Sequence, residues 1–256
     1  MASNDEFETV NVLQGVPFHH REKEKKITPV QKFSAEFLGT AFLVFVVTGI
    51  PIFAKIKNEL QQFKNQSEYC GNFEGALVLT TMIYVFGRIS GAHFNPAVTI
   101  PMYLRKNIDG IECLYYIFAQ ILGGVFGSIL VLLCSQGVLS DLGPNYYDDF
   151  TSWSLVSIFS CEFILTFILV SVIFASNVKQ NNFGNLNGLI IGITLYFLGI
   201  TGNNVSGPGL NPARSIGPAI IMAFSGNINP MKQIWLYILA PIFGGITASQ
   251  VALLFE

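Results

Sequence analysis

Long apolar blocks separated by short polar segments dominate the sequence. A helix needs about 20 mostly apolar residues to cross a hydrocarbon core about 30 Å thick, because it rises about 1.5 Å per residue. Six blocks approach this length, over residues 33–53, 73–87, 114–134, 153–175, 186–202 and 234–255. Two further blocks, residues 95–104 and 211–224, are too short to cross and are typical of re-entrant segments. The pattern predicts an all-α membrane protein with six transmembrane helices and two re-entrant half-helices.

Composition agrees with a bilayer protein and excludes several partners. Hydrophobic residues make up 51% of the 256 positions and charged residues 12%, about half the charged fraction of a soluble domain. Fourteen basic residues balance 16 acidic ones, so no basic field would attract nucleic acid. The four cysteines lack paired or metal-like spacing, which argues against a disulfide framework and a zinc site. We expect no metal, no cofactor and no nucleic-acid partner.

The distribution of Lys and Arg predicts the orientation. If the N-terminus is cytoplasmic, nine basic residues lie on that side of the bilayer and five on the other. Both termini are then cytoplasmic, and the polar segment 1–32 is expected to be partly disordered. Asn65, in an Asn-Gln-Ser sequon of the first external loop, becomes a glycosylation candidate. The host is expected to be the plasma membrane or an intracellular vesicle or vacuole membrane.

The two halves of the chain, about residues 33–135 and 153–256, match at three places. The sequence Ala35-Glu36-Phe37-Leu38 aligns with Cys161-Glu162-Phe163-Ile164, and Asn-Pro-Ala at 95–97 aligns with Asn-Pro-Ala at 211–213. A third match pairs 119–128 with 240–249, and the three offsets are 126, 116 and 121 residues. Each half has three predicted spans, an odd number, so the second half enters the bilayer from the opposite face. The sequence therefore predicts an inverted repeat.

Each predicted half-helix begins with the same three residues. In the two boxes, Asn95-Pro96-Ala97 and Asn211-Pro212-Ala213, Asn suits the N-cap and Pro the first helical position. Half-helices inside a bilayer need protein or water around their free backbone groups, which indicates a water-filled or ligand-filled path. Their positive ends would meet at mid-membrane, where the two Asn amides can donate hydrogen bonds to a passing oxygen.

These motifs resemble the aquaporin, or major intrinsic protein, family over nearly the whole chain from residue 33 onward. The resemblance rests on the two boxes, on Glu-Phe in the first and fourth spans, on Ser90-Gly91-Ala92-His93 and on Arg214-Ser215. It implies one aquaporin-like domain over residues 33–256 and a homotetramer with one pore per subunit. Such a pore passes water and sometimes small neutral solutes, and it excludes protons and ions.

The resemblance also implies roles for individual residues. Arg214 corresponds to the arginine at the narrowest part of the family's pore, where a permanent cation repels cations and hydrogen-bonds permeants. The carboxylates of Glu36 and Glu162 are expected to accept hydrogen bonds from backbone amides of the re-entrant loops. Backbone carbonyls lining the path are expected from the two loops, at Gly91, Ala92, His93, Gly207 and Gly209.

Counting from the boxes gives three more filter positions, which depart from the usual water-channel pattern. Gly75 lies 20 residues before Asn95, and Gly199 and Pro208 lie 12 and 3 residues before Asn211. Family members usually carry a bulky aromatic residue at the first position, and strict water channels carry histidine at the second. Two glycines should therefore widen the opening and favour glycerol, urea or ammonia.

Other positions favour the water-selective branch, namely Ser215, Ala219 and Tyr237. A neighbouring bulky group, Phe73, Phe197 or Asn204, is expected to fill the space left by the glycines. We expect a water channel with some leakage of small neutral solutes. Glycerol facilitation remains the alternative.

Two further hypotheses concern regulation and rival classes. The polar loop between the fourth and fifth spans, with Lys179, Asn181, Asn182 and Phe183, is either a gate over the inner mouth or a solvated connector.

A secondary transporter would share the inverted repeat, but it needs an embedded coupling site. A junction-forming structural protein is a further rival. The spans contain no Asp and no Ser-His or Cys-His constellation, so an enzyme is not expected.

Overall fold

A computed structural model describes residues 26–61, 72–135, 142–146, 153–177 and 184–254. Within these ranges the chain forms eight α-helices and no strand, and a 3-10 turn at Gly184–Leu186 precedes the sixth helix. The helices are α1 (Pro29–Gln61), α2 (Asn72–Ser90), α3 (Pro96–Leu104), α4 (Gly110–Cys134), α5 (Leu155–Asn177), α6 (Asn187–Gly202), α7 (Pro212–Phe224) and α8 (Asn229–Ala252). The predicted all-α fold, with two short helices among longer ones, is confirmed.

Helix lengths separate the predicted spans into five and one. In the described ranges, five helices contain a stretch long and apolar enough to cross a membrane: α1, α2, α4, α5 and α8. The fifth predicted span, α6, has 16 residues, or about 24 Å of rise. The 3-10 turn delays its start, and the turn after Gly202 ends it. The six predicted spans therefore correspond to five longer helices and the shorter α6.

Both half-helices begin as the sequence predicts. Asn95 and Asn211 are the N-caps of α3 and α7, and each has extended backbone angles. The loops leading to them contain left-handed residues that are not glycine, namely Phe94 at φ 51° and Leu210 at φ 53°. The ring of Phe94 is fully buried against Gly39 of α1, where a Cβ would lie 2.1 Å from a ring carbon. Close packing therefore fixes the entry of the first loop.

The two halves pack closely together through glycines of α4 and α8, the last long helix of each half. A Cβ on Gly124 of α4 would collide with the backbone carbonyl of Ala213 in α7, and one on Gly245 of α8 would collide with that of Ala97 in α3. At these glycines, α4 and α8 each pack their backbone directly against the half-helix of the other repeat. Neither half-helix is held by its own repeat alone.

The outer surface is apolar and the interior holds buried polar groups. Large hydrophobic side chains such as Leu114, Leu133 and Val156 are more than 70% exposed. Glu36 and Glu162, by contrast, are fully buried. This distribution suits a protein whose outside faces hydrocarbon and whose polar groups serve an internal path.

Candidate pore and its constrictions

A cavity of about 320 Å³ runs along α2 and α6, the second long helix of each repeat. On α2 its lining residues recur at helical spacing, at Asn72, Gly75, Leu79, Ile83 and Gly87, which span about 22 Å of helix. On α6 they recur every four residues, at Asn187, Ile191, Leu195 and Gly199. The start of α2 meets the end of α6, so the two helices run antiparallel along an elongated cavity.

The two boxes meet at the cavity and are joined by reciprocal hydrogen bonds. Asn95 Nδ2 donates to the Leu210 carbonyl at 2.8 Å, and Asn211 Nδ2 donates to the Phe94 carbonyl at 2.8 Å. The side-chain oxygens accept from their own helices, from Ala97 N at 2.8 Å and from Ala213 N at 3.0 Å. Each amide nitrogen carries two hydrogens, so one donor on each remains for a molecule in the cavity.

Glu36 holds the first re-entrant loop in place. Its Oε1 accepts from Ser90 Oγ at 2.6 Å and His93 N at 3.0 Å, and its Oε2 accepts from Phe94 N at 2.7 Å. Gln120 Nε2 also donates to Oε2 at 2.8 Å. A buried carboxylate is tolerated because its lone pairs are satisfied, and here it satisfies loop amides that have no helical partner.

Glu162 does the same for the second loop, and the side chain of Ser206 also lies within hydrogen-bonding reach of its carboxylate. Its two oxygens accept from Gly209 N at 3.0 Å and Leu210 N at 2.9 Å. The contact joins α5 to the loop just before the second box, as the contact of Glu36 joins α1 to the loop before the first. Neither carboxylate is among the residues that line the cavity.

Arg214 lies in the cavity wall and is braced from one side. Its Nη1 donates to the Gly143 carbonyl at 3.0 Å and to Asn145 Oδ1 at 2.7 Å. Asn145 Oδ1 also accepts from Ser215 Oγ at 2.8 Å. Residues 142–146, between α4 and α5, therefore set the direction of the guanidinium group before any solute arrives.

The other three filter positions also line the cavity, but the space beside them is filled differently from the prediction. A Cβ on Gly75 would lie 2.9 Å from Val47 Cγ2, and one on Gly199 would lie 2.6 Å from Asn72 Oδ1. Pro208 contributes its ring from the loop. The side chains beside the two glycines are thus those of Val47 and Asn72.

The three predicted fillers are wrong. Phe73 and Phe197 are 55% and 62% exposed, Asn204 is exposed as well, and none of the three lines the cavity. Phe73 and Phe197 each precede a lining glycine by two positions. On a helix with 3.6 residues per turn, a residue two positions away points its side chain to the opposite face.

Four of the five residues predicted to present backbone carbonyls are in the cavity wall. Gly91, Ala92, His93 and Gly209 line the cavity, whereas Gly207 does not. Gly207 is exposed, and its carbonyl accepts a hydrogen bond from Asn145 Nδ2. That carbonyl helps to hold the loop 142–146 in place, and the prediction of a cavity-lining role for it is corrected.

Several predicted residues lie outside the described part of the chain. These are the glycosylation candidate Asn65 and the gate candidates Lys179, Asn181, Asn182 and Phe183. Within the described part, no group of three His, Cys, Asp or Glu side chains could hold a metal ion.

Four polar side chains of the site were missed by sequence reasoning: Asn72, Gln120, Asn145 and Asn187. The repeat could have revealed two of them, because Asn72 and Asn187 are 115 residues apart, close to the 116 that separate the boxes. Asn145 sits in a polar loop between spans, and nothing in its local sequence indicates that it reaches Arg214.

Comparisons with known proteins agree on one family. The major intrinsic protein family matches residues 23–252. A glycerol uptake facilitator protein-like protein of Lactiplantibacillus plantarum is 39% identical over 229 residues, 87% of this chain and 97% of that relative. Nodulin-26 of Glycine max is 34% identical over 227 residues, 87% of this chain and 76% of the relative.

The solved structures give the same result. The crystal structure of the aquaglyceroporin from Plasmodium falciparum superimposes with a TM-score of 0.76 at 26% identity, and the match covers 87% of this chain and 95% of that one. The resemblance inferred from the boxes is thereby confirmed. The chain belongs to the major intrinsic protein family of membrane channels, which pass water and small neutral solutes.

Proposed function

We propose that this protein is a passive channel for water and for small neutral solutes of the size of glycerol or urea, and that it excludes ions and protons. The observation that carries the proposal is the composition of the outer constriction. Gly75, Gly199 and Pro208 offer little side-chain bulk there, and Arg214 supplies fixed hydrogen-bond donors. Water and small neutral solutes are therefore proposed as permeants with equal weight.

Exclusion of cations is supported by the charges along the path. Arg214 is the only Lys, Arg, Asp or Glu among the lining residues within the described ranges. The positive ends of α3 and α7 meet at the Asn95 and Asn211 boxes, which adds a second positive region. A cation would meet both regions with no carboxylate in the wall to compensate.

Solute passage is supported by two kinds of comparison. One relative is named a glycerol uptake facilitator-like protein, and the similar solved structure is an aquaglyceroporin. A water-only pore is the second candidate, since Ser215 and Ala219 resemble the water-selective branch. Both residues are fully buried and neither lines the cavity, so they bear less directly on pore width than the glycines do.

The test is a pair of flux measurements on one preparation. Proteoliposomes containing the purified protein are shrunk osmotically. An impermeant solute is used to measure water permeability, and glycerol or urea is used to measure solute permeability. We expect water flux and reswelling in both solutes, linear with concentration and independent of proton or sodium gradients. Water flux without reswelling would establish a water-only pore, and gradient-dependent flux would indicate a coupled transporter.

We further propose that the chain acts as a homotetramer with both termini in the cytoplasm, in the plasma membrane or an intracellular vesicle or vacuole membrane. The exposed apolar helix faces support burial against lipid or other subunits. Chemical crosslinking in membranes should stop at four subunits, and tags at both ends should be protease-resistant in sealed cells. A monomer, or a tag cleaved from outside, would contradict this arrangement.

A further inference from the structure

Asn72 places an amide in the constriction at a position that the family pattern assigns to another helix. It is the first residue of α2, one turn before Gly75, and it lines the cavity. Its Oδ1 and Cγ lie 2.6 and 2.8 Å from where a Cβ on Gly199 would be. The space left open by Gly199 on α6 is therefore occupied by a polar side chain from α2.

The amide nitrogen of Asn72 is buried and has no hydrogen-bond partner within the described part of the chain. A buried donor normally finds an acceptor, because leaving it unpaired is unfavourable. The lining position of the residue means that the nearest open space is the cavity itself. Pairing with an acceptor in the cavity requires the side chain to turn toward the open space, because the nitrogen itself is buried.

The other repeat carries a counterpart at the opposite end of the cavity. Asn187 is the first residue of α6, as Asn72 is of α2, and it also lines the cavity. Its Nδ2 donates to the Ser176 carbonyl at 2.9 Å, whereas its Oδ1 is buried and unpartnered within the described ranges. The inverted repeat therefore places one asparagine at each end, and each leaves one buried polar atom unpaired.

From this juxtaposition we propose that Asn72 is a specificity-determining residue of the channel, which hydrogen-bonds neutral solutes carrying hydroxyl or amide groups as they pass Arg214. Asn187 offers a second such contact at the inner end. The proposal deepens the proposed function and rests on it. Two donors on residues that line one cavity, the guanidinium of Arg214 and the amide of Asn72, suit an oxygen-rich solute with more than one hydrogen-bonding group better than they suit a single water.

The deciding variant is Asn72→Leu in the full-length channel, because leucine keeps the number and branching of the side-chain heavy atoms and removes the hydrogen-bonding groups. We expect glycerol and urea permeability to fall about five- to tenfold relative to water permeability, the effect of one lost hydrogen bond. The exposed Asn204, changed to Leu, is the matched control and should leave the ratio unaltered. Water flux per reconstituted protein shows whether each variant is folded.

A second variant approaches the same contact from the other side. Gly199→Ala adds the Cβ that collides with the Asn72 amide, so it should lower the solute-to-water ratio in the wild-type background. In an Asn72→Leu background it should add little, since the contact is already lost.

Two results would overturn the proposal in different ways. Wild-type solute flux with an unchanged ratio in Asn72→Leu would show that Asn72 only fills space, and the proposed function would stand. Absence of glycerol and urea flux in the wild type would overturn both proposals together.

Discussion

The two re-entrant loops are built alike but braced differently. Each loop accepts support from a buried glutamate on the first helix of its repeat, α1 or α5. Each loop also accepts a hydrogen bond from a buried tyrosine on the last long helix of its repeat, α4 or α8. Tyr116 donates to the Ser90 carbonyl at 2.6 Å, and Tyr237 donates to the Ser206 carbonyl at 2.7 Å. The tyrosines are 121 residues apart and the serines 116, the offsets of the repeat itself. Shared residues thus build the scaffold twice.

The differences begin one turn further along α4 and α8. In the first half Gln120 Nε2 donates both to Glu36 Oε2 and to Thr99 Oγ1, each at 2.8 Å. The matching position of the second half is Pro241, which has no side-chain donor. There the residue equivalent to Thr99 is Ser215, and it bonds to Asn145 instead.

We infer from this difference in hydrogen-bond partners that the two ends of the pore have different roles, one in stability and the other in selectivity. Among the residues that the structure describes, the side chains that brace the first loop belong to helices of the bundle. The second loop depends on residues 142–146, which hold Arg214 and Ser215 through Asn145. We infer that selectivity arises where the second half departs from the repeat, and that the common residues serve stability. The predictions below test this division.

The largest effect is expected from the buried glutamates. Glu36→Leu removes the acceptor of four hydrogen bonds and should cost about 4 kcal/mol of stability, whereas Glu162→Leu removes the acceptor of two backbone bonds and of one from Ser206 and should cost about 3 kcal/mol. The measurement is thermal unfolding of purified protein in detergent. Equal losses would show that Gln120 adds nothing to the first brace.

The interlocking glycines should behave alike in both halves. Gly124→Val and Gly245→Val each force a side chain against a backbone carbonyl, and each should destabilise the protein by about 1 to 3 kcal/mol. Gly87→Ala is the control, since a Cβ there meets no atom within 4 Å. A large asymmetry between the two valine variants would contradict the interlocked packing.

Asn145 has no counterpart among the described residues of the first half, so its loss should affect selectivity. In Asn145→Ala the guanidinium of Arg214 loses a fixed acceptor, and glycerol permeability should fall about fivefold relative to water as preorganised donors are lost. Asn203→Ala, at an exposed loop position, serves as the control. An unchanged permeability ratio would remove the loop 142–146 from the selective end.

The smallest effect is expected at the paired tyrosines. Tyr116→Phe and Tyr237→Phe each delete one buried hydrogen bond and should cost about 1 kcal/mol, with the glycerol-to-water ratio unaltered. Unfolding and flux of the same preparations check both points. A changed flux ratio in either variant would blur the division between scaffold and filter.

The repeat explains why so much of the fold could be predicted. Hydrophobic blocks locate helices, and Asn-Pro at 95–96 and 211–212 specifies a helix start by local chemistry alone. Helix ends were less accessible: α1 continues to Gln61, eight residues past the predicted end at 53, because its polar extension still consists of good helix formers.

The candidate site was predicted only as far as it depends on counting along the chain. Gly75, Gly199, Pro208 and Arg214 follow from fixed distances to the boxes, and all four line one cavity. The fillers could not be counted in this way. Which side chain enters the space beside Gly199 depends on how α2 crosses α6, and that contact joins residues 127 positions apart.

The central claim is that the constriction beside Arg214 admits solutes of the size of glycerol because Gly199 has no side chain and the Asn72 amide lies beside it. Glycerol and water permeabilities of wild-type and Gly199→His proteoliposomes, measured side by side, test it most directly. We predict that the wild type passes both, and that the histidine variant retains water flux while glycerol flux falls at least about tenfold, as expected for steric exclusion from a narrowed pore. Equal glycerol flux in the two channels, or none in the wild type, would contradict the account.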